Sequence, residues 1–267
     1  MKVICHIGQP KTATTLLQST CVENRAWLFE HGVLYPDTMD PDGNHISLLF
    51  ACADYVPVFA QDRGISTLDD IQSFRKKLTL HLKDQVERAR GQIHTVLLSS
   101  ENLTANISGP TAIHNLADFL SELFDDVRIV IYLRRQDDSL LSMYSEYMRR
   151  GFSDVVFDRF LDDTLNNPHI VPYIFHRRIL EFWLHAFGKE FLSVRIFDRA
   201  ELFGNDILID FFNIVFSGRI PELSMLRRSS EGNTTLSAPA IEFLRRLQPY
   251  IPFEKDGGLN QRREILR

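Results

Sequence analysis

The chain has few cysteines and no long hydrophobic stretch, and each absence excludes a class of protein. Its three cysteines, Cys5, Cys21 and Cys52, are too few and too scattered for a disulfide framework or a Cys-x-x-Cys metal site. We expect reduced, buried thiols. No run approaches the roughly 20 apolar residues of a membrane-spanning helix, so we predict no integral membrane segment.

The chain also lacks a net positive charge. The formal net charge is −5, whereas a general nucleic-acid binder needs a basic surface. We therefore predict no nucleic-acid partner and expect any anionic ligand to meet a few local basic groups. The chain begins directly with an apolar segment from Lys2 to Ile7, without the charged region and long apolar run of a secretory signal. Together with the reduced thiols, this predicts a cytoplasmic location.

Short apolar runs alternate with amphipathic segments along the 267 residues. Strands are predicted at 3–7, 32–36, 95–99, 127–133 and 192–197. Helices are predicted at 14–29, 45–53, 69–90, 111–124, 138–150, 173–187, 206–215 and 238–247. Such alternation predicts an α/β fold of three layers with a central parallel sheet. Because we find no internal repeat, low-complexity tract or linker, we predict a single domain over 1–267.

The most informative segment follows the first predicted strand and opens the first predicted helix, where free backbone N–H groups and the helix dipole favour an anion. A P-loop kinase has a second glycine followed by a lysine at the end of this loop. Here Ala13 replaces that glycine, Thr14 stands at the lysine position, and the lysine is at position 11. The pattern indicates an anion-binding loop unsuited to ATP with magnesium. A helix cap without a ligand is the alternative.

The strand predicted at 127–133 ends in a second candidate anion site. Arg134 follows it, and Ser142 lies eight residues further on, in the next predicted helix. A guanidinium offers a forked, permanently charged contact to a phosphate. Ligands of open α/β sheets bind at the carboxyl ends of the strands. Two such motifs at two strand ends favour a ligand site over an arginine that is merely exposed to solvent.

These segments resemble those of the PAPS-dependent sulfotransferases, which use 3'-phosphoadenosine 5'-phosphosulfate (PAPS). Their 5'-phosphosulfate loop usually reads Pro-Lys-[Ser/Thr]-Gly-Thr-Thr. It is matched at five of six positions by Pro10, Lys11, Thr12, Ala13, Thr14 and Thr15. We expect Ala13, the departure, to begin the helix, where alanine is harmless. The family's 3'-phosphate motif has the spacing of Arg134 and Ser142.

The region from 187 to 237 is similar to the late section of bacterial sulfotransferases. In many of these a basic loop closes over the nucleotide. The resemblance implies that Arg227 or Arg228 adds a contact to the 3'-phosphate. An exposed basic turn without a ligand is the alternative.

The resemblance implies a P-loop nucleotide-hydrolase-like sulfotransferase fold that transfers a sulfuryl group from PAPS to a hydroxyl or amine and leaves PAP. The implied transfer reaction requires no metal. Lys11 would stabilise the charge that develops on the leaving phosphate. Family analogy suggests a carbohydrate or lipid-linked acceptor. The alternatives are a P-loop kinase-like phosphotransferase and a non-catalytic protein of the same fold that binds PAP or another nucleotide.

The acceptor needs a general base, and two residues are candidates. His45 follows a polar loop and begins a predicted helix, which is similar to the segment that supplies an acceptor-side histidine or glutamate in carbohydrate sulfotransferases. Glu101, just beyond the strand predicted at 95–99, is the second candidate, and it could instead bind the substrate. We expect His6 to be a core residue hydrogen-bonded to the backbone.

Overall fold

Five parallel strands form the central sheet. The computed structural model describes residues 1–107, 109–151, 155–167, 174–229, 236–251, 254–255 and 258–259. The strand order is β2-β3-β1-β4-β5, where β1 is Lys2–His6, β2 Val33–Leu34, β3 Thr95–Ser99, β4 Asp126–Leu133 and β5 Leu192–Ile196. The predicted α/β fold with a central parallel sheet is confirmed. Because β1 pairs with β3 and β4 in parallel, the carboxyl ends of these three strands lie along one edge.

Helices connect the strands: α1 Thr14–Glu23, α2 Arg25–Glu30, α3 Ser47–Cys52, α4 Leu68–Arg88, α5 Asn102–Ala105, α6 Pro110–Leu123, α7 Gln136–Arg150, α8 Phe157–Leu165, α9 His176–Phe187, α10 Ile207–Val215 and α11 Ala238–Leu247. The single helix predicted over 14–29 is two helices. Asn24 leaves the helical conformation (φ −116°), and its side-chain amide donates to the carbonyl of Thr20. An asparagine that bonds the local backbone in this way competes with helix continuation.

The chain divides into two compact units. The first comprises Met1–Arg134 and His176–Gly232 and contains the parallel sheet. The second comprises Arg135–Phe175 and Asn233–Arg267 and contains α7, α8, α11 and two short antiparallel strands, β6 Glu254–Lys255 and β7 Gly258–Leu259. Its core is formed by Met143, Tyr144, Met148, Phe160, Ile174 and Leu244. The single domain predicted over 1–267 stays a prediction.

Both faces of the sheet are buried in the first unit. On one face, Ile4 and Tyr132 belong to a cluster with Leu17 of α1 and Phe211 of α10. The neighbouring Val3 points to the opposite face, because strand side chains alternate between faces, and it is fully buried as well. Coverage on both faces explains why these strands are nearly continuous apolar runs.

The three cysteines are free and buried, as expected. Burial raises the pKa of the Cys5 thiol to about 12, so this sulfur stays protonated and unreactive near neutral pH. In the part of the chain that the structure describes, no helix combines the length and apolar character needed to cross a membrane.

Candidate active site

The loop between β1 and α1 adopts an unusual backbone. Gly8, Lys11 and Ala13 all have left-handed conformations, with φ of 51°, 69° and 60°. Ala13 is the residue before the first turn of α1 and not part of it, so the expectation that Ala13 begins the helix is wrong. A methyl group at this φ costs on the order of 1 kcal/mol relative to glycine. The surrounding contacts must therefore hold the loop in place.

Those contacts begin inside the loop and continue to the segment after β3. Thr12 is fully buried, and its hydroxyl donates to the carbonyl of Gln9 at 2.7 Å. The hydroxyl of Thr104, in α5, donates to the carbonyl of Gly8. A Cβ at Gly8 would lie 2.8 Å from Cγ2 of Thr14 and 3.1 Å from Cα of Glu101. Only glycine therefore allows the loop to approach the end of β3 this closely.

Glu101 lies directly beside the start of α1. It is half-buried and follows β3, whose ladder with β1 is extended by a bond from the Ser100 amide to the His6 carbonyl at 2.9 Å. The hydroxyl of Thr14 donates to Oε2 of Glu101, which fixes the orientation of the carboxylate. A carboxylate so placed can accept a proton from a group that approaches the anion-binding end of α1.

Arg134, at the end of β4, contacts the same loop from the other side. Its backbone N–H donates to Oε1 of Gln9 at 2.9 Å, and its Nη1 donates to the carbonyl of Lys11 at 3.0 Å. Arg134 and Lys11 are both half-buried. The structure therefore brings Lys11, Glu101 and Arg134 together around one loop, at the carboxyl ends of three neighbouring strands.

The other predicted loop residues take different positions around this junction. Pro10 is half-buried, Thr14 is almost completely buried, and Thr15 is exposed in the first turn of α1. The N-terminal amides of a helix have no partners within the helix. A loop of this kind at a helix start can hold an anion through backbone N–H groups as well as through a lysine.

His45 is not in a position to act as a base. Its ring is fully buried; Nδ1 accepts from the Ser99 amide at 3.0 Å, and Nε2 donates to the Pro36 carbonyl at 3.1 Å. Burial lowers the pKa of His45 to about 3. Because both ring nitrogens already have backbone partners, the geometry contradicts the assignment of His45 as general base. The residue instead ties the loop after β2 to β3.

His6 is a core residue, but its observed partner is a side chain. It is fully buried, and Nδ1 lies 2.9 Å from the hydroxyl oxygen of Ser99, where the sequence predicted a bond to the backbone. The rings of Tyr132 and Phe211 meet it edge to face. Burial lowers its pKa to about 3, so His6 remains neutral in the folded protein.

The basic segment near residue 227 packs along α1 and also pairs with Asp206. The side chain of Asn24 accepts from the Arg227 amide at 2.9 Å and donates to the Arg227 carbonyl at 2.8 Å, and Arg228 forms an ion pair with Asp206 at 2.7 Å. Asn24 lies ten residues beyond Thr14, about 15 Å along the axis of α1. The amide of Ser229 donates to the hydroxyl of Thr20 at 3.4 Å. The predicted contact of Arg227 or Arg228 with the 3'-phosphate stays a prediction.

Ser142 is half-buried on α7, in the second unit. Its predicted joint contact with Arg134 to one phosphate stays a prediction. Within the described ranges, no three histidine, cysteine, aspartate or glutamate side chains gather where they could hold a metal ion.

Two contributors to the site, Gln9 and Thr104, were not identified from the sequence. Gln9 lies inside the recognised loop but carries no charge and has no counterpart in the motif. Thr104 lies 96 residues from its partner Gly8. Local patterns carry no signal for a contact that depends on the pairing of distant strands.

Comparison with solved structures gives a distant likeness to a sulfotransferase. No protein-family model and no curated protein matches the chain. A solved structure of a sulfotransferase from Alicyclobacillus acidocaldarius is similar over 93% of this chain and 92% of that chain, with 15% sequence identity and a TM-score of 0.49. At these values the likeness does not carry an argument about activity.

Proposed function

We propose that this protein is a PAPS-dependent sulfotransferase that transfers a sulfuryl group to a hydroxyl or amine. One observation carries the proposal. The segment that resembles the family's phosphosulfate loop lies at the start of α1, and Glu101 and Arg134 contact that same loop from the two neighbouring strand ends. A catalytic carboxylate and a phosphate-binding arginine are the two further groups that the reaction needs.

The residues of the first unit fit a ligand with two anionic groups. The loop amides, the start of α1 and Lys11 would hold the 5'-phosphosulfate, and Arg134 would hold the 3'-phosphate through its planar guanidinium. The family spacing of Ser142 predicts a second contact to that phosphate. The donor supplies a sulfuryl group that is already bonded to a good leaving group.

In the transfer step, Glu101 accepts the proton of the acceptor hydroxyl or amine while that group attacks sulfur. A new bond from sulfur to the acceptor forms as the bond from sulfur to the bridging oxygen breaks. The electron pair of the broken bond remains on the 5'-phosphate of PAP. The ammonium group of Lys11 and the loop amides stabilise this growing charge, because preorganised donors need no rearrangement during the reaction.

The contact from Thr14 gives Glu101 a defined orientation for this role. With Oε2 held by the Thr14 hydroxyl, we assign proton transfer to Oε1. The acceptor itself is proposed to be a carbohydrate or lipid-linked molecule by family analogy, and an acceptor screen must identify it.

The test is transfer from PAPS to a panel of carbohydrate, glycolipid and amine acceptors, followed by mass spectrometry. We expect products that carry one added sulfuryl group, and PAP binding in calorimetry. A parallel reaction with ATP and magnesium tests the kinase alternative, and a phosphorylated product found only there would overturn the proposal. PAP binding without transfer to any acceptor class would favour the non-catalytic alternative.

A further inference from the structure

We infer that Gln9 is a positioning residue that sets the spacing between the two anion-binding groups, Lys11 and Arg134. The inference rests on the proposed function. Gln9 is 2% exposed, although it lies in a loop that would meet the ligand. Its side-chain oxygen accepts from the backbone of Arg134 at 2.9 Å. A buried amide inside an anion-binding loop therefore reaches across to the neighbouring strand end.

A second bond returns from that strand end to the loop. Nη1 of Arg134 donates to the Lys11 carbonyl at 3.0 Å. The Thr12 hydroxyl also donates to the Gln9 carbonyl at 2.7 Å, which holds the backbone of Gln9 against the rest of the loop. The backbone at Lys11 and the backbone at Arg134 are thus joined through the Gln9 side chain and the Arg134 guanidinium.

These bonds lie beyond the regular pairing of the two strands. The β1–β4 register ends at His6 and Val130, and the amide of Ile7 donates to the carbonyl of Val130 at 2.9 Å. The Gln9 side chain adds a bond from the loop to the end of β4 beyond this regular pairing. Its removal should therefore leave β1 and β4 paired but allow the loop and the end of β4 to move relative to each other.

A fixed spacing matters for a ligand that carries two anionic groups at a fixed separation. Binding of the second group is favoured by the first only when both sites are held at the matching distance. A ligand with one phosphate gains nothing from that match. Gln9 should therefore control the preference for the doubly anionic nucleotide over the singly anionic one, rather than nucleotide binding in general.

Calorimetry with PAP and with adenosine 5'-phosphate tests this inference in the full-length chain. In Gln9→Met, which keeps the length of the side chain but removes the amide, we expect the preference for PAP to fall about tenfold, as for one lost hydrogen bond. Gln9→Asn, which is one carbon too short to reach Arg134, should show the same loss and serves if the methionine variant does not fold.

Gln18→Met is the matched control. Gln18 is a second glutamine that is only 5% exposed, and its amide donates to the Ser99 hydroxyl at 3.2 Å rather than to β4. We expect this variant to lose stability but to retain the preference for PAP. An equal loss of preference in Gln18→Met would show a general structural effect and overturn the inference.

The remaining outcomes separate the inference from the proposed function. If the unmodified protein prefers PAP and both Gln9 variants keep that preference, the inference is wrong and the proposed function stands. If the unmodified protein has no preference for PAP, the proposed function and the inference fail together.

Discussion

His45 and Glu101 both lie at the carboxyl end of β3, but they differ in burial and in hydrogen-bond partners. These two properties decide whether a side chain can exchange a proton with a substrate. His45 is sealed in the core with a backbone partner for each ring nitrogen. Glu101 is half-buried, and its identified partner is the hydroxyl of Thr14 at the start of α1. The residue type and the position in the sequence made them similar candidates. The hydrogen-bond partners separate them into a structural bridge and a group that can exchange a proton.

Glu101→Gln tests this comparison most strongly, because we expect this variant to lose sulfuryl transfer. The amide keeps the shape of the side chain but cannot accept the acceptor's proton, so turnover should fall by a factor of roughly 10²–10⁴. PAP affinity, measured by calorimetry, should remain close to that of the unmodified protein. Full activity in this variant would remove Glu101 as the base.

Lys11→Met should lower turnover by a factor of roughly 10²–10³, as for the removal of one preorganised donor at a developing charge. Methionine is preferable to glycine here because it leaves the left-handed backbone of position 11 equally strained. The measurement is the single-turnover rate at saturating PAPS. A change confined to PAPS affinity would show that Lys11 binds the ground state without favouring the transition state.

The buried side chains of His6 and His45 predict a dependence of stability on pH. The folded-state pKa values of His6 and His45 are both lowered by burial to about 3, and the ordinary value is 6.5. Between these values the unfolded chain binds more protons, so the contribution to stability is complete above pH 6.5 and is lost as the pH falls. The expected slope is about 1.4 kcal/mol per pH unit for each histidine.

Urea unfolding of the unmodified protein at pH 7, 6 and 5 measures this slope. His45→Asn removes one of the two titrating groups, so its free energy of unfolding should vary less steeply with pH. Parallel curves for the two proteins would contradict a neutral, buried His45.

His45→Ala tests the structural assignment at neutral pH. The substitution leaves the Ser99 amide and the Pro36 carbonyl without their side-chain partner, which should cost about 1–3 kcal/mol of unfolding free energy. His45→Asn should recover part of this loss, because the side-chain oxygen can accept from the Ser99 amide. Any His45 variant that folds should still transfer, and a stable but inactive variant would restore His45 as the base.

The smallest expected effect is a gain of about 1 kcal/mol in unfolding free energy in Ala13→Gly, which removes the methyl group from a left-handed residue. Ala26→Gly is the matched control, because Ala26 is exposed within α2 and should lose a similar amount. Urea denaturation of both variants measures the two changes. Changes of the same sign would contradict the conformation assigned to Ala13.

The sequence allowed the fold to be predicted well. A nearly continuous apolar run located β3 at its observed bounds, Thr95–Ser99, because a central parallel strand is buried on both faces. Helical spacing of apolar residues located α11 at Ala238–Leu247. It did not detect the break at Asn24, whose side chain bonds the carbonyl of Thr20 and that of Arg227, more than 200 residues away.

The site was predictable in outline only. The loop and the two strand ends were located correctly, because chain order and parallel pairing bring them to one edge. The conformation of Ala13 and the partners of His45 were not predictable, because each depends on contacts with a segment distant in sequence. Apolar patterns indicate whether a region is buried, and they do not indicate which polar atoms meet there.

The left-handed residues at Lys11 and Ala13 have a consequence for recognition. Folding already orders this turn through its contacts with Thr104, Glu101 and Arg134, so the proposed nucleotide would not have to order it on arrival. The conformational entropy lost on association is correspondingly smaller, and the bound nucleotide should find the turn in nearly the same shape that the free protein has.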